Sequence, residues 1–261
     1  MKKTCVFCGA CGVKISNEHA WPNWIRDLFP AGPTTIIGTR PGRKNIVYSP
    51  REGDMGVTVN AVCKATCNEG WMSVIEETVK PFLAPMIRDG VATTLTPIQQ
   101  ATLTRWAVKT AMVFEFTDRK SQPFYTFEER NAVRRGLLPM DSTIVESARR
   151  LGQPILSTAH ARRMTFDVAV DGRTFPLEAV STTISAGQFV VQVFSVRSTV
   201  DVGIWVPWDS EFTSHVVRLW PPVEDSRPTW PAAETLDDDA TLERFITRLP
   251  PAHAQSGSGG T

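Results

Sequence analysis

The 261 residues suffice for one large core or two modest ones, and 42% hydrophobic with 21% charged residues is an ordinary globular composition. Lys and Arg number 28 against 27 Asp and Glu, so the formal net charge of +1 supplies no global field toward nucleic acid or a membrane, although residues 1–90 (11 basic, 8 acidic) are slightly more basic than the rest (17 and 19). No apolar run approaches a membrane-spanning helix, and "MKK" leads into Thr4 and Cys5 rather than an apolar signal segment, so a cytoplasmic chain with no membrane partner is expected.

In chain order, "TCVFCGACG" (4–12) is followed by "NEHAWPNW" (17–24), where Trp21, Trp24, Ile25, Leu28 and Phe29 fall at helical spacing and Pro22 suits a first turn. Between Ala31 and Val62, glycine, proline and the runs "TTIIGT", "NIVYS" and "VTVNAV" predict short strands and loops. A helix is predicted from Glu69, with Trp71, Ile75, Val79, Phe82, Leu83 and Met86 on one stripe, a kink at Pro81 or Pro85 and a stop at Gly90. The capping box Thr96-Pro97-Ile98-Gln99 opens a strong helix through "QATLTRWAVKTAMVFEF". A second box, Thr126 to Glu129, opens a shorter one that stops at Gly136, and "DSTIVESARRLG" (141–152) predicts a third. From Ile155 the period becomes two. "MTFDVAV" and "TFPLEAV" flank a "DGR" turn, and "QFVVQVFSV", "VGIWVPW" and "HVVRLWPP" continue as strands. "DDD" (237–239) reads as the cap of a last short helix, and "AHAQSGSGGT" as a disordered end.

Five cysteines carry the first functional signal. Cys5 and Cys8 form a C-x2-C pair, Cys63 and Cys67 a C-x3-C pair, and in a reducing compartment such pairs read as metal ligands before disulfides. Two knuckles brought together supply the four soft ligands of a structural zinc, with no open position for chemistry. Cys8 and Cys11 form a competing C-x2-C pair; Cys5 with Cys8 is preferred because Gly9 follows directly, where a tight turn needs it.

The second signal is polar. A zinc clamp would hold Asn68, directly after Cys67, beside whatever the chain places nearby, and Glu18-His19 is the obvious neighbour. Glu18 and Asn68 offer oxygen ligands for Mg²⁺ or Mn²⁺, and His19 an imidazole that titrates near neutrality. Those are sufficient parts for hydrolysing a phosphodiester, with His19 as general base.

The pieces "CVFC", "NEHAWP" and "CKATCNEGW" resemble the HNH or His-Me finger (ββα-metal) endonucleases, in the zinc-stapled form of phage recombination endonuclease VII. The resemblance covers about the first third of the chain. It implies a bacterial or phage-infected host cytoplasm, DNA as substrate, Glu18 and Asn68 as ligands of the catalytic metal, and His19 as the base. A middle Asn that orients the base falls on Asn60 or Asn45, without a choice between them.

Arg40, Arg43, Lys44 and Arg51, around Tyr48, lie on a predicted loop that could follow a phosphate backbone without reading sequence. His160 with Arg162 and Arg163 reads as a charged strand edge, and His215 and His253 have no visible partners. The expected fold class is α+β: a zinc-stapled ββα-metal module over 1–90, helices and then an antiparallel sheet over 91–230, and a tail over 231–261. The C-terminal part is expected to choose a target or protein partner. The rival reading is a catalytically degenerate zinc-fold module that binds nucleic acid or a protein, as an accessory protein of a phage or mobile element. Its basis is Trp71, which stands where many relatives carry His or Lys near the metal.

Overall fold

A computed structural model describes residues 3–29, 34–39, 46–48, 57–117, 122–138, 142–151, 157–170, 173–198, 203–205, 210–223, 226–248 and 253–255. The polar N-terminal stretch is organised by a narrow antiparallel ribbon. Strands β1 (Glu18–His19) and β4 (Thr58–Val59) pair Glu18 with Val59 and His19 with Thr58. The ribbon extends both ways: Ala20 N–H donates to Val57 O (2.8 Å), Ser16 N–H to Val62 O (2.8 Å), and Ile15 bridges Cys63. Between its strands lie the short helix α1 (Asn23–Arg26), with Pro22 at its N-cap, and strands β2 (Thr34–Thr39) and β3 (Ile46–Tyr48).

The ribbon leads into a wide-turned helical segment, Lys64–Met72, broken at Gly70 (φ −94°, ψ −115°), and then into the regular helix α2 (Ser73–Asp89). Ile75, Val79, Leu83 and Met86 form its buried stripe, as their spacing requires. The helix runs on through Pro81 and Pro85 and ends at Gly90, left-handed at φ 65°. After the short β5 (Thr93–Thr94) comes α3 (Pro97–Phe114), opened by the reciprocal Thr96/Gln99 capping box. Leu103, Trp106, Ala107, Val108, Ala111, Met112 and Val113 are all buried, so the second half of α3 is enclosed on every side while its first turn, with Ile98, is exposed. The Thr126/Glu129 box opens α4 (Phe127–Arg134).

Residues 141–152 do not form the expected third helix. Thr143–Arg149 is strand β6, inside a seven-stranded sheet with β7 (Ser157–Val170), β8 (Arg173–Ala186), β9 (Phe189–Ser198) and β11 (Val216–Trp220). The order is β11-β6-β9-β8-β7-β2-β3, antiparallel except for the parallel β2–β7 pair. Val145, Glu146, Ser147 and Ala148 are buried in succession, because both faces of β6 are covered. That hides the period of two, and a ladder on each side outweighs local helix preference. His160 and Arg162 are no sheet edge either, since β7 is paired on both sides there; Arg163 lies just past the β2 ladder and reaches Glu115 (3.3 Å), and Arg162 reaches the Thr247 carbonyl (3.0 Å). The hairpin expected at "DGR" exists, with Val170 opposite Arg173.

Alternation along β9 sends Phe189, Val191 and Val193 into the main core and Val190 into a second cluster with Ala148, Phe212, Leu236, Leu242 and Phe245. The last two belong to α5 (Asp239–Thr247), capped by Asp238 as "DDD" predicts. Two small pairs complete the described structure: β12 (Thr229–Trp230) with β5, and β10 (Gly203–Trp205) with β13 (His253–Gln255). The expected disordered end therefore begins with a paired strand. His215 also has a partner, Glu234 at 3.3 Å.

Candidate metal centre

The first knuckle is closed by Gly9 N–H on the Cys5 carbonyl (3.0 Å), with Gly9 at φ 73°, a conformation that a side chain resists. The second opens at Cys63 and continues into the wide-turned segment, where Asn68 N–H bonds to Cys63 O five residues back (3.0 Å). This wider turn absorbs the extra residue of C-x3-C, so the spacing does not disturb the cluster. The Sγ atoms of Cys5 and Cys67 are 3.7 Å apart, those of Cys8 and Cys63 3.6 Å, and all four lie within 4.8 Å of one another.

Four sulfurs around zinc, at bonds of about 2.3 Å, stand about 3.8 Å apart, so the cluster is already spaced to hold a tetrahedral metal ion. Cys63 N–H also points to Cys5 Sγ (3.3 Å), the kind of bond that steadies a bound thiolate. The hydrogen bond with Cys67 holds the Cys5 thiol down to about 4 and pushes that of Cys67 up, while burial raises Cys8. A bound cation would take the place of the protons that these crowded thiols share. Cys11 is excluded from the cluster: it is exposed, against Thr4 Oγ1 (3.1 Å).

Trp71 belongs to the wall of this centre. Its ring meets Phe7 edge-on (5.5 Å) and carries the Arg105 guanidinium over its face (5.1 Å). Its indole N–H has no nitrogen or oxygen partner among the described residues, and it favours the ionised form of Cys67. Trp21 and Trp24 are buried in the core. Arg130 of α4 ties the knuckle to the helices through the Val6 carbonyl (2.8 Å).

The ribbon places Glu18 and His19 on the strand opposite the one that runs through Cys63 to Asn68. Asn68 is half-buried, and its side-chain amide bonds to no described residue. Glu18 is 5% exposed, and its carboxylate takes no hydrogen bond among the described residues. Desolvation raises its carboxyl from 4.5 to about 7, against the opposing pull of Lys109. His19 is half-buried beside it. Asn60 is exposed, in the bend after β4. Asn45, Arg40, Arg43, Lys44 and Arg51 lie outside the described residues.

Two neighbours of Glu18 escaped the reading of the sequence. Lys109 of α3 is wholly buried and pairs with Glu76 of α2 (2.7 Å). The signal was one charged residue inside the apolar helical run "WAVKTAMVF"; its partner lies 33 residues away. No family model, no curated protein and no solved structure matches this chain. Among the described residues no helix is long and apolar enough to cross a membrane.

Proposed function

We propose that the protein is a metal-dependent endonuclease that hydrolyses phosphodiester bonds in DNA through an HNH-type site. The observation that carries the reading is the order of parts: a strand bearing Glu18-His19, an antiparallel partner strand, a four-cysteine centre, and the helical segment Lys64–Met72 that carries Asn68. This is the ββα sequence of elements implied by the resemblance of "CVFC", "NEHAWP" and "CKATCNEGW".

The donor set fits a hard cation, because Glu18 is a mostly buried carboxylate and, among the described residues, neither it nor the Asn68 side-chain amide takes a hydrogen bond. Glu18 and Asn68 would hold Mg²⁺ or Mn²⁺, which when bound supplies charge stabilisation for the departing oxyanion. His19, next to Glu18 on β1, takes the proton of the attacking water in its neutral form. The four thiolates keep the ribbon and helix in register and take no part in the chemistry. The sheet domain selects the target or a protein partner, and the segment with Arg40, Arg43, Lys44 and Arg51 contacts phosphates.

A plasmid-nicking assay with Mg²⁺ or Mn²⁺ tests this reading. His19→Ala should lower the rate by about 10²- to 10⁴-fold while zinc content and DNA affinity stay unchanged. Wild-type protein that cuts nothing with any divalent metal would end the proposal. A second reading, a zinc module that binds without cutting, is favoured by one observation: the Lys109 ammonium already supplies a buried positive charge beside Glu18.

A further inference from the structure

We infer that Arg105, Arg134 and Arg135 form a docking surface for the phosphate backbone of duplex DNA, anchored beside the metal centre on Trp71. The inference rests on the reading of DNA as substrate, and deepens it by naming where the helices grip the duplex.

Two helices and the metal-centre segment build the surface. Arg105 comes from the middle of α3, Arg134 is the last residue of α4 and Arg135 its C-cap. Trp71 lies in the Lys64–Met72 segment, three positions after Asn68. Direct contacts join them. The Arg105 guanidinium stands 5.1 Å from the centre of the Trp71 ring, over its face. It donates from Nε to the Val133 carbonyl (2.8 Å) and from Nη2 to the Arg134 carbonyl (2.6 Å). Beyond the helix, Gly136 turns at φ 88°, and a Cβ there would lie 3.9 Å from Arg105 Cζ and Nη1, so this turn also stays against the guanidinium.

Three guanidinium groups thus gather at one helix end, and among the described residues none of them is paired with a carboxylate. The acids of the same elements are engaged elsewhere or stand apart. Glu69 pairs with Lys64 (3.1 Å), while Glu128 and Glu129 occupy the opposite end of α4, where Glu129 pairs with Arg197 (2.7 Å). The negative end of the α4 dipole accounts for Arg105, which occupies two of its free carbonyls. Arg134 and Arg135 remain in excess. Of its five N–H donors, the Arg134 side chain commits one, to Asn131 Oδ1 (2.9 Å), and the exposed Arg135 side chain commits none to a described residue. Like charges held this close repel, and an anion relieves them. A phosphodiester matches the planar fork of arginine, and a duplex presents one such charge after another along each strand. Contacts of this kind position a duplex without reading its sequence.

The test is binding of the full, zinc-loaded chain to labelled duplex DNA, followed by fluorescence anisotropy between about 50 and 200 mM salt without divalent metal, with plasmid nicking in parallel. Arg134→Gln combined with Arg135→Gln should weaken binding alike on duplexes of different sequence and reduce the salt slope by about two, one for each phosphate contact. Arg134→Lys combined with Arg135→Lys keeps both charges and should keep the slope. Arg244→Gln removes a charge from α5, which packs in the second core cluster, and should leave the slope unchanged. An unchanged slope in the glutamine pair, or an equal loss per charge in Arg244→Gln, overturns the inference. So does wild-type protein that binds no duplex. If the glutamine pair does not fold, Arg135→Gln alone decides, with a slope reduced by about one. The expected slopes in a protein that nicks nothing with Mg²⁺ or Mn²⁺ keep the docking surface and end the nuclease reading. Nicking by a glutamine pair of wild-type affinity and slope does the reverse.

Discussion

Glu18 shows how one side chain couples the site to stability. Its ordinary value is 4.5 and its folded value about 7, because burial opposes the charge more than Lys109 supports it. The folded state thus holds the proton more tightly than the unfolded chain. Stability contributed by the protonated form is complete below 4.5, is lost as pH rises toward 7, and is constant above, a change of about 3 kcal/mol at most. In zinc-loaded protein without added Mg²⁺ or Mn²⁺, the melting temperature of wild type relative to Glu18→Gln should fall over that interval. Glu115 and Glu146, whose carboxyls burial also raises, are present in both proteins and cancel in the difference. Parallel melting curves across pH 4.5–7 would contradict the assignment. At this scale the cysteine cluster was legible, because ligand types at short spacing repeat a local geometry. Lys109 and Glu76 were not, because only packing brings α2 and α3 together.

Among the elements, helices with a written start were the readable ones. Thr96, Gln99, Thr126 and Glu129 name their own helix ends through bonds made within four residues. Strand β6 carries no such local mark, since its partners β11 and β9 lie far along the chain. The turn between β8 and β9 shows how elements from distant parts lock together. Gly187 has φ 53°, and a Cβ there would stand 2.3 Å from the Ile87 carbonyl at the end of α2, while Gln188 N–H bonds that same oxygen (2.9 Å). Gly187→Ala should cost about 2–4 kcal/mol in urea unfolding, the sum of backbone strain and overpacking. Gly136→Ala is the control: its φ is 88°, but the nearest atoms to an added Cβ, those of Arg105, stand at 3.9 Å, so it should cost only the strain, about 1 kcal/mol. Equal costs would show that α2 does not press on the turn.

Across the whole molecule the main core runs from the cysteine knuckles to the sheet. One cluster holds Cys5, Phe7, Cys63 and Cys67 of the knuckles together with Trp106 of α3, Val191 of β9 and Trp230 of β12. Metal removal should therefore be felt far from the cysteines. Stripping zinc with a strong chelator, or replacing Cys63 by Ser, should lower the melting temperature and keep a single calorimetric transition, because metal binding and folding share one free energy. Two separated transitions, or an unchanged melting temperature, would show that the centre is independent of the helices and sheet. What the sequence by itself determined is what short-range chemistry encodes: four cysteines at knuckle spacing, the capped helices α3 and α4, and the alternation of β7, β8 and β9. What only the tertiary structure decided depends on contacts with no local trace. It turned 143–149 into a central strand and paired the buried Lys109 of α3 with Glu76 of α2. The reason is physical: a cap or a turn is satisfied by residues three or four positions away, whereas burial on both faces and the pairing of charges are set by whatever the rest of the chain packs against them.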